Sequence, residues 1–262
     1  MRDDYLIITD STADLPQDYA NRLGLEIVPY LFNLDGKEVY NYLDNRELSS
    51  EDFYAALRAG KTASTSLVTA ERYTQIFKPF LQQGKDILYL CLSTGLSSSY
   101  NQSLMAAEAL LTEFPDRKII SIDSLGASMG QGLMAYYASK ARDEGKTLDQ
   151  TAAYVKDIIL KTCHWVAADD LQHLRRGGRV SGASAFVGTL LNIKPIIHMD
   201  DEGRLIPVAK IRGWSNVLDY FGNRMEETLL TPKDQIIFIS HSDSLENAEK
   251  LAEYLIKRFG PR

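Results

Sequence analysis

Residues 87–100 read ILYLCLSTGLSSSY, a short apolar run followed directly by a loop rich in hydroxyl side chains. An apolar run of this length, rich in aliphatic and aromatic residues, is typical of a buried β-strand. The segment that follows has apolar residues at helical spacing, at Leu104, Ala107, Leu111 and Phe114. A strand, a polar loop and a helix in this order form half of a βαβ unit, from which parallel sheets are built.

The same alternation recurs along the chain and predicts an α/β fold. Strands are predicted at 5–9, 87–92, 119–123, 165–168, 195–199 and 236–240. A further helix is predicted from Leu148, Ala152, Val155 and Ile159, which again have helical spacing.

Two segments are instead typical of β-hairpins. Residues 27–42 contain Asp35-Gly36, and residues 199–203 form a short acidic turn that ends in Gly203. The sequence therefore predicts two α/β domains, 1–163 and 164–262, with a mainly parallel sheet in the N-terminal domain and β-hairpin additions.

The composition excludes several classes of protein. The chain has 262 residues, of which 45% are apolar and 24% charged, which is the balance of an ordinary globular protein. Its net charge of -6 argues against a general nucleic-acid binder, which needs a basic surplus. Cys91 and Cys163 lie in apolar runs, so we expect neither a disulfide framework nor a metal cluster. We find no signal peptide and no run that approaches a membrane span, and we expect a cytoplasmic protein.

The loop ITDSTADLP at 8–16 follows the first predicted strand. Open α/β sheets place their ligands at the carboxyl ends of strands, so this loop is well placed for function. The competing interpretation is that Ser11, Thr12 or Asp14 caps a helix that begins near Pro16.

Two more loops could bind an anion. Residues 61–66, KTASTS, carry four hydroxyls, all within 62–66, and residues 93–100 join a strand to a helix N-terminus. Hydroxyls and backbone N–H groups at such a terminus favour a negative charge. The second loop lacks the glycine pattern of a Walker or dinucleotide motif, and Ser97 or Ser98 could simply cap the helix.

The segment LQHLRRGGRVSG at 171–182 places three arginines around two glycines, and Lys210 and Arg212 could extend this positive patch. Of the four histidines, His241 is the best placed because it follows a predicted strand. No catalytic triad is recognisable, so the sequence gives little support for an enzyme.

Taken in order, these motifs resemble the DegV family. The matching stretches cover nearly the whole chain: ITDSTADLP, TS at 65–66, STGLSSSY, IDS at 122–124, LRRGGRVSG, GTLLNIKPII from 188, Lys210 with Arg212, and SHSD from 240.

The resemblance implies a bacterial lipid carrier with no catalytic residue, cofactor or metal of its own. DegV-like proteins have two α/β domains that enclose one long-chain fatty acid, with its carboxylate on hydroxyls at the domain junction and its tail in an apolar tunnel. Where a fatty-acid kinase exists, they present the carboxylate to a separate ATP-using subunit, which forms an acyl phosphate. The resemblance implies no membrane span, and transient membrane contact stays open.

The resemblance also implies where the ligand lies. The carboxylate ligands would come from Ser64 or Thr65 and from Ser93 or Thr94, and the choice within each pair stays open. Arg179, Arg212 and His241 would face the head group or the kinase. Residues 186–191 would line the tail.

This sequence departs from the family in three places. It has Thr65-Ser66-Leu67-Val68-Thr69 where TSQPS is usual, and Thr94 where a second Ser is usual. Family members also continue past the last helix into a strand and an HxGxG-type segment whose His lies near the head group, so either this sequence is shortened at 262 or its site lacks that contribution. One alternative is a phosphoryl- or acyl-transfer enzyme with His241 or Asp10 as base, and another is a regulatory sensor of acyl chains. The preferred chain length and the oligomeric state stay open.

Overall fold

A computed structural model describes residues 5–169, 171–180, 192–229, 231 and 234–260. The chain forms two compact units, one of residues 1–163 with 201–203 and one of residues 164–200 with 204–262. The domain limits 1–163 and 164–262 stay a prediction, because compactness alone does not show that either part folds by itself.

The first unit is built on a parallel four-stranded sheet, as the sequence predicts. Its strands, in spatial order, are β2 (Leu25–Val28), β1 (Tyr5–Asp10), β6 (Asp86–Cys91) and β7 (Ile119–Asp123). From Ile87 to Cys91 every residue of β6 is fully buried, because helices cover both faces of the sheet.

The α-helices in the described part of this unit are α1 (Gln17–Arg22), α2 (Ser50–Arg58), α3 (Ala70–Gln82), α4 (Ser99–Glu113), α5 (Ser128–Asp143) and α6 (Leu148–Ile158). On one face of the sheet, Tyr73 and Phe77 of α3 and Leu110 of α4 pack into the core with Tyr89 of β6. The α5 and α6 helices contact β6 as well. The predicted helices around residues 104–114 and 148–159 are thus confirmed as α4 and α6.

The first predicted hairpin is confirmed. Strands β3 (Tyr30–Leu34) and β4 (Lys37–Asn41) pair antiparallel, and Asp35 and Gly36 both have positive φ, at 54° and 88°. Positive φ at both central residues gives the turn the twist of the flanking strands. A third strand, β5 (Ala63–Thr65), pairs with β3, so part of the predicted hydroxyl loop is a short edge strand.

The second unit contains an antiparallel sheet in the order β10 (Leu205–Arg212), β9 (Ile193–Met199) and β8 (Trp165–Ala167), which confirms the second predicted hairpin. Its helices are α7 (Gln172–Gly177), α8 (Trp214–Thr228) and α9 (Leu245–Phe259). Ile196 of β9 packs with Val217 and Phe221 of α8.

The strand predicted at 236–240 is wrong. These residues form no regular secondary structure, although 236–239 are half-buried. An apolar run becomes a strand only where a neighbouring strand supplies hydrogen-bond partners, and no described strand lies beside residues 236–240.

In the same described ranges, we find no helix with the length and apolar character needed to cross a membrane.

Candidate functional site

The polar residues that follow β1, β6 and β7 lie at one edge of the sheet. Strand β6 pairs in parallel with both β1 and β7, so the three carboxyl ends are adjacent. Asp10 ends β1, Ser93 follows β6 and Asp123 ends β7. This edge is the one at which open α/β sheets bind ligands.

Asp10 is completely buried and ties β1 to the start of the β6–α4 loop. Its carboxylate accepts hydrogen bonds from the N–H of Leu92 at 3.0 Å, the hydroxyl of Tyr89 at 3.1 Å and the N–H of Thr12 at 3.1 Å, and also from the Thr12 hydroxyl. Burial raises the pKa of Asp10 above its usual 3.8, while the hydrogen bonds from Thr12 and Leu92 oppose that change. A carboxylate so enclosed positions the loop and is out of reach as a base for a substrate.

A chain of buried hydroxyls extends from Asp10 into the core. The Tyr89 hydroxyl oxygen, which donates its proton to Asp10, lies 2.7 Å from the hydroxyl of Tyr73 and 3.3 Å from the Cys91 sulfur. The rings of Tyr73 and Tyr89 are 5.2 Å apart, so the same residues are held by packing as well. Tyr73 and Tyr89 are therefore held by both packing and polar contacts, and Tyr89 in turn bonds to Asp10.

The predicted capping of the first helix is wrong. Helix α1 follows Pro16, which makes no side-chain cap. Asp10 caps the short 3-10 turn Ser11–Ala13 instead, and the Ser11 hydroxyl accepts from the N–H of Tyr30 at 3.1 Å. Asp14 ends that turn in the left-handed region, at φ 52°. The hydroxyls of Ser11 and Thr12 are thus bonded to Tyr30 and Asp10, and neither caps α1.

Ser93 is buried and its hydroxyl is fully engaged. It donates to the carbonyl of Gly203 at 2.7 Å and accepts from the N–H of Gly95 at 3.1 Å. Its own N–H donates to the carbonyl of Gly126 at 3.0 Å. A ligand carboxylate could accept a hydrogen bond from Ser93 only if the bond from Ser93 to the Gly203 carbonyl were broken.

Thr94 is exposed and bonded to an acidic side chain. Its hydroxyl donates to Asp123 at 2.5 Å, and its N–H donates to the other oxygen of the same carboxyl group at 3.2 Å. The N–H of Leu125 also donates to Asp123, at 3.0 Å. A second carboxylate beside Thr94 would meet a like charge.

The N-terminus of α4 links the two hydroxyl segments. Ser98 makes no side-chain cap, whereas the Ser97 hydroxyl accepts from the N–H of Ser99 at 3.3 Å. The Ser99 hydroxyl in turn accepts from the N–H of Val68 at 3.0 Å. The chain that follows β5 is therefore bonded directly to the helix that follows the 93–98 loop.

Ser64 and Thr65 are exposed on β5. Their backbones pair with Asn33 and Phe32 of β3, and their hydroxyls have no hydrogen-bond partner in the described parts of the chain. These two hydroxyls thus differ from those of Ser93 and Thr94, which already have acceptors.

The remaining predicted site residues belong to the second unit. Arg179 is exposed and donates to the carbonyl of Gly177, and Arg212 is the exposed last residue of β10. His241 is exposed, and its Nδ1 accepts from the N–H of Ser244 at 3.2 Å, just before α9 begins. The expected position of His241 at the end of a strand is wrong, because 236–240 is not a strand. The predicted tail-lining segment, 186–191, lies outside the described residues.

A family model described as "Uncharacterised protein, DegV family" matches residues 5–261. The chain belongs to the DegV family. A DegV domain-containing protein of Clostridium perfringens is 39% identical over 255 residues, which is 97% of this chain and 87% of that protein.

Two solved DegV structures are also similar to this chain, and both are described as fatty-acid binding. The one from Thermus thermophilus has 29% identity and a TM-score of 0.76, and the match covers 88% of this chain and 80% of that one. The one from Streptococcus agalactiae has 26% identity and a TM-score of 0.83, with 99% and 90% covered.

In this DegV chain, the sequence alone does not indicate two residues of the candidate site. It identifies Gly203 only as the end of a hairpin turn and Asp123 only as part of the IDS stretch. The bond between Ser93 and Gly203 spans 110 residues, so no local pattern signals it. Asp123 could have been found, since it ends a predicted strand beside the one that precedes Ser93.

Proposed function

We propose that this chain binds one long-chain fatty acid, with its carboxylate on hydroxyl side chains and its tail in an apolar tunnel. The main support is the pair of exposed hydroxyls, Ser64 and Thr65, on a segment that is bonded through Val68 to the N-terminus of α4. Burying an ionised carboxylate is unfavourable unless several donors satisfy it, and hydroxyls with N–H groups supply them without a metal. The two solved relatives described as fatty-acid binding support the same function.

Within the second hydroxyl pair, we favour Ser93 over Thr94 as the carboxylate ligand. The Thr94 hydroxyl already donates to Asp123, and the charge of Asp123 would repel the fatty-acid head group. Ser93 donates to an uncharged carbonyl, which a carboxylate can replace with a gain in hydrogen-bond strength.

Ser93→Ala is expected to weaken fatty-acid binding only moderately. Ser93 exchanges a neutral hydrogen bond for a charge-assisted one, so the loss is the difference between the two, about 1 kcal/mol or roughly five- to tenfold in affinity. Calorimetric titration of delipidated protein with stearic acid measures this. A larger loss in Thr94→Ala than in Ser93→Ala would reverse the assignment.

The proposed carrier presents its ligand to a separate, ATP-using kinase subunit in the cytoplasm. There a carboxylate oxygen bonds to the γ-phosphorus of ATP and ADP leaves, which gives an acyl phosphate. Arg179, Arg212 and His241 serve the head group or the kinase-facing surface. Arginine suits both roles because its planar fork binds carboxylate and phosphate.

Arg179→Ala and Arg212→Ala are expected to reduce acyl-phosphate formation far more than lipid uptake. The assay combines the carrier with a fatty-acid kinase subunit, and lipid uptake is measured separately on the carrier alone. Arg46→Ala is the matched control, because Arg46 is an exposed arginine of the first unit that pairs with Asp44. Equal loss of uptake and phosphorylation would make the two arginines lipid ligands or structural residues.

Lipid extraction and mass spectrometry of the purified protein test the proposed function. We expect fatty acid in a one-to-one ratio with the chain. The alternative, a phosphoryl- or acyl-transfer enzyme, would instead turn over phosphate esters without any partner. The enclosure of Asp10 by its donors argues against that alternative.

A further inference from the structure

The turn between β9 and β10 closes over the Ser93 hydroxyl. Residues 201–203 of this turn group with the first unit, and Gly203 is buried there. A Cβ on Gly203 would lie 2.0 Å from the Ser93 Oγ and 3.1 Å from the Cα of Leu125, and the φ of Gly203 is +71°. Only glycine combines this backbone conformation with so close an approach.

The Ser93 hydroxyl has one proton, which it uses to donate a hydrogen bond to the Gly203 carbonyl. A hydroxyl donates one hydrogen bond, and Gly95 occupies one of the acceptor positions on Ser93 through its N–H. An ionised carboxylate can only accept hydrogen bonds. Ser93 therefore cannot serve Gly203 and a fatty-acid carboxylate at the same time.

The negative charges on the turn also oppose the approach of a ligand carboxylate to Ser93. Asp201 and Glu202 are exposed and directly precede Gly203. With the turn in place, an incoming carboxylate would approach these two acids as well as Asp123. Withdrawal of the turn would remove both the competing carbonyl and two of the like charges.

We propose that residues 201–203 form a latch, in which the Gly203 carbonyl occupies the Ser93 hydroxyl until a ligand carboxylate displaces it. This inference rests on the proposed fatty-acid function. It adds that the unliganded site exists in a closed form, and that binding is weakened and slowed by the fraction of molecules in that form. Gly203 is then a determinant of ligand exchange rather than a ligand.

The test compares Gly203→Ala with Gly36→Ala. Both glycines lie at hairpin turns with positive φ, but a Cβ on Gly36 would meet nothing within 4 Å. Gly36→Ala therefore reproduces the backbone strain without touching Ser93. Association of stearic acid with delipidated protein is followed by stopped flow, after circular dichroism has checked that each variant is folded.

The latch predicts that Gly203→Ala speeds association about five- to tenfold, the factor for losing one neutral hydrogen bond from the closed form. Gly36→Ala should match the wild type. An unchanged or slower association in folded Gly203→Ala overturns the latch alone. If the wild type binds no fatty acid, the proposed function fails and the latch fails with it.

A second measurement uses the wild-type chain and stays decisive if Gly203→Ala does not fold. The carbonyl of Gly203, labelled with carbon-13, is observed by NMR without ligand and with saturating stearic acid. We expect an upfield change of its resonance when the bond from Ser93 breaks. A resonance that stays in place while the protein becomes saturated with lipid contradicts the latch.

Discussion

Asp10→Ala is expected to lower the free energy of unfolding by about 2–4 kcal/mol, because four donors lose a fully buried acceptor and an unsatisfied buried donor costs about 1–3 kcal/mol. These donors are the N–H groups of Thr12 and Leu92 and the hydroxyls of Thr12 and Tyr89, of which Tyr89 is fully buried. Removal of a buried charge offsets part of the loss, since burial disfavours the ionised carboxyl. Chemical denaturation at neutral pH measures the difference.

The matched control for Asp10 is Asp44→Ala. Asp44 also accepts from a backbone N–H and an arginine, but it is exposed, so water replaces the lost bonds and the denaturation midpoint should not change. Stability of Asp10→Ala equal to that of the wild type would show that Asp10 does not anchor the loop.

The pH dependence of stability offers an independent check on Asp10. Its pKa is higher in the folded chain than its usual 3.8, so the folded chain holds more protons between those two values. The free energy of unfolding of the wild type therefore decreases as the pH rises through that interval. Asp10→Ala should lose this contribution to the slope.

The double substitution Ser64→Ala and Thr65→Ala is expected to weaken fatty-acid binding by about ten- to hundredfold, or about 1.5–3 kcal/mol for a hydrogen bond to a charged group. The reason is that these hydroxyls have no competing partner in the described residues, so the ligand loses the whole bond. The effect should therefore exceed that of Ser93→Ala. Calorimetric titration with stearic acid compares the variants.

The double variant should remain folded, because β5 pairs with β3 through its backbone and both side chains are exposed. Thr62→Ala is the control, since Thr62 is an exposed hydroxyl residue just before β5. Wild-type affinity in the double variant would remove both residues from the head-group site. A comparable loss in Thr62→Ala would point to a general effect on the segment.

Local patterns in the sequence were enough to predict much of the fold. The strand, loop and helix at 87–114 and the Asp35-Gly36 hairpin follow from periodicity and turn chemistry, both of which act over a few residues. The failures arise where a distant partner decides the outcome. Residues 236–240 have the apolar pattern of a strand, yet no described strand lies beside them.

The candidate site also combines features that local sequence predicts with features that depend on distant residues. Hydroxyls after strands were recognisable as possible anion ligands, and the structure separates them by what they contact. Thr94 donates to Asp123, Ser93 donates to Gly203, and the hydroxyls of Ser64 and Thr65, exposed on β5, make no hydrogen bond to the residues that the structure describes. Such differences depend on contacts between residues far apart in the chain, which one sequence does not reveal.

The most direct test of the central claim is carbon-13 NMR of carboxyl-labelled stearic acid added to the delipidated wild-type chain. If the carboxylate is held by the two hydroxyl segments, it should give one bound resonance distinct from the free acid. Both Ser93→Ala and the Ser64→Ala and Thr65→Ala double variant should change that resonance. Absence of a bound resonance, or a bound resonance that is identical in all three proteins, would contradict the account.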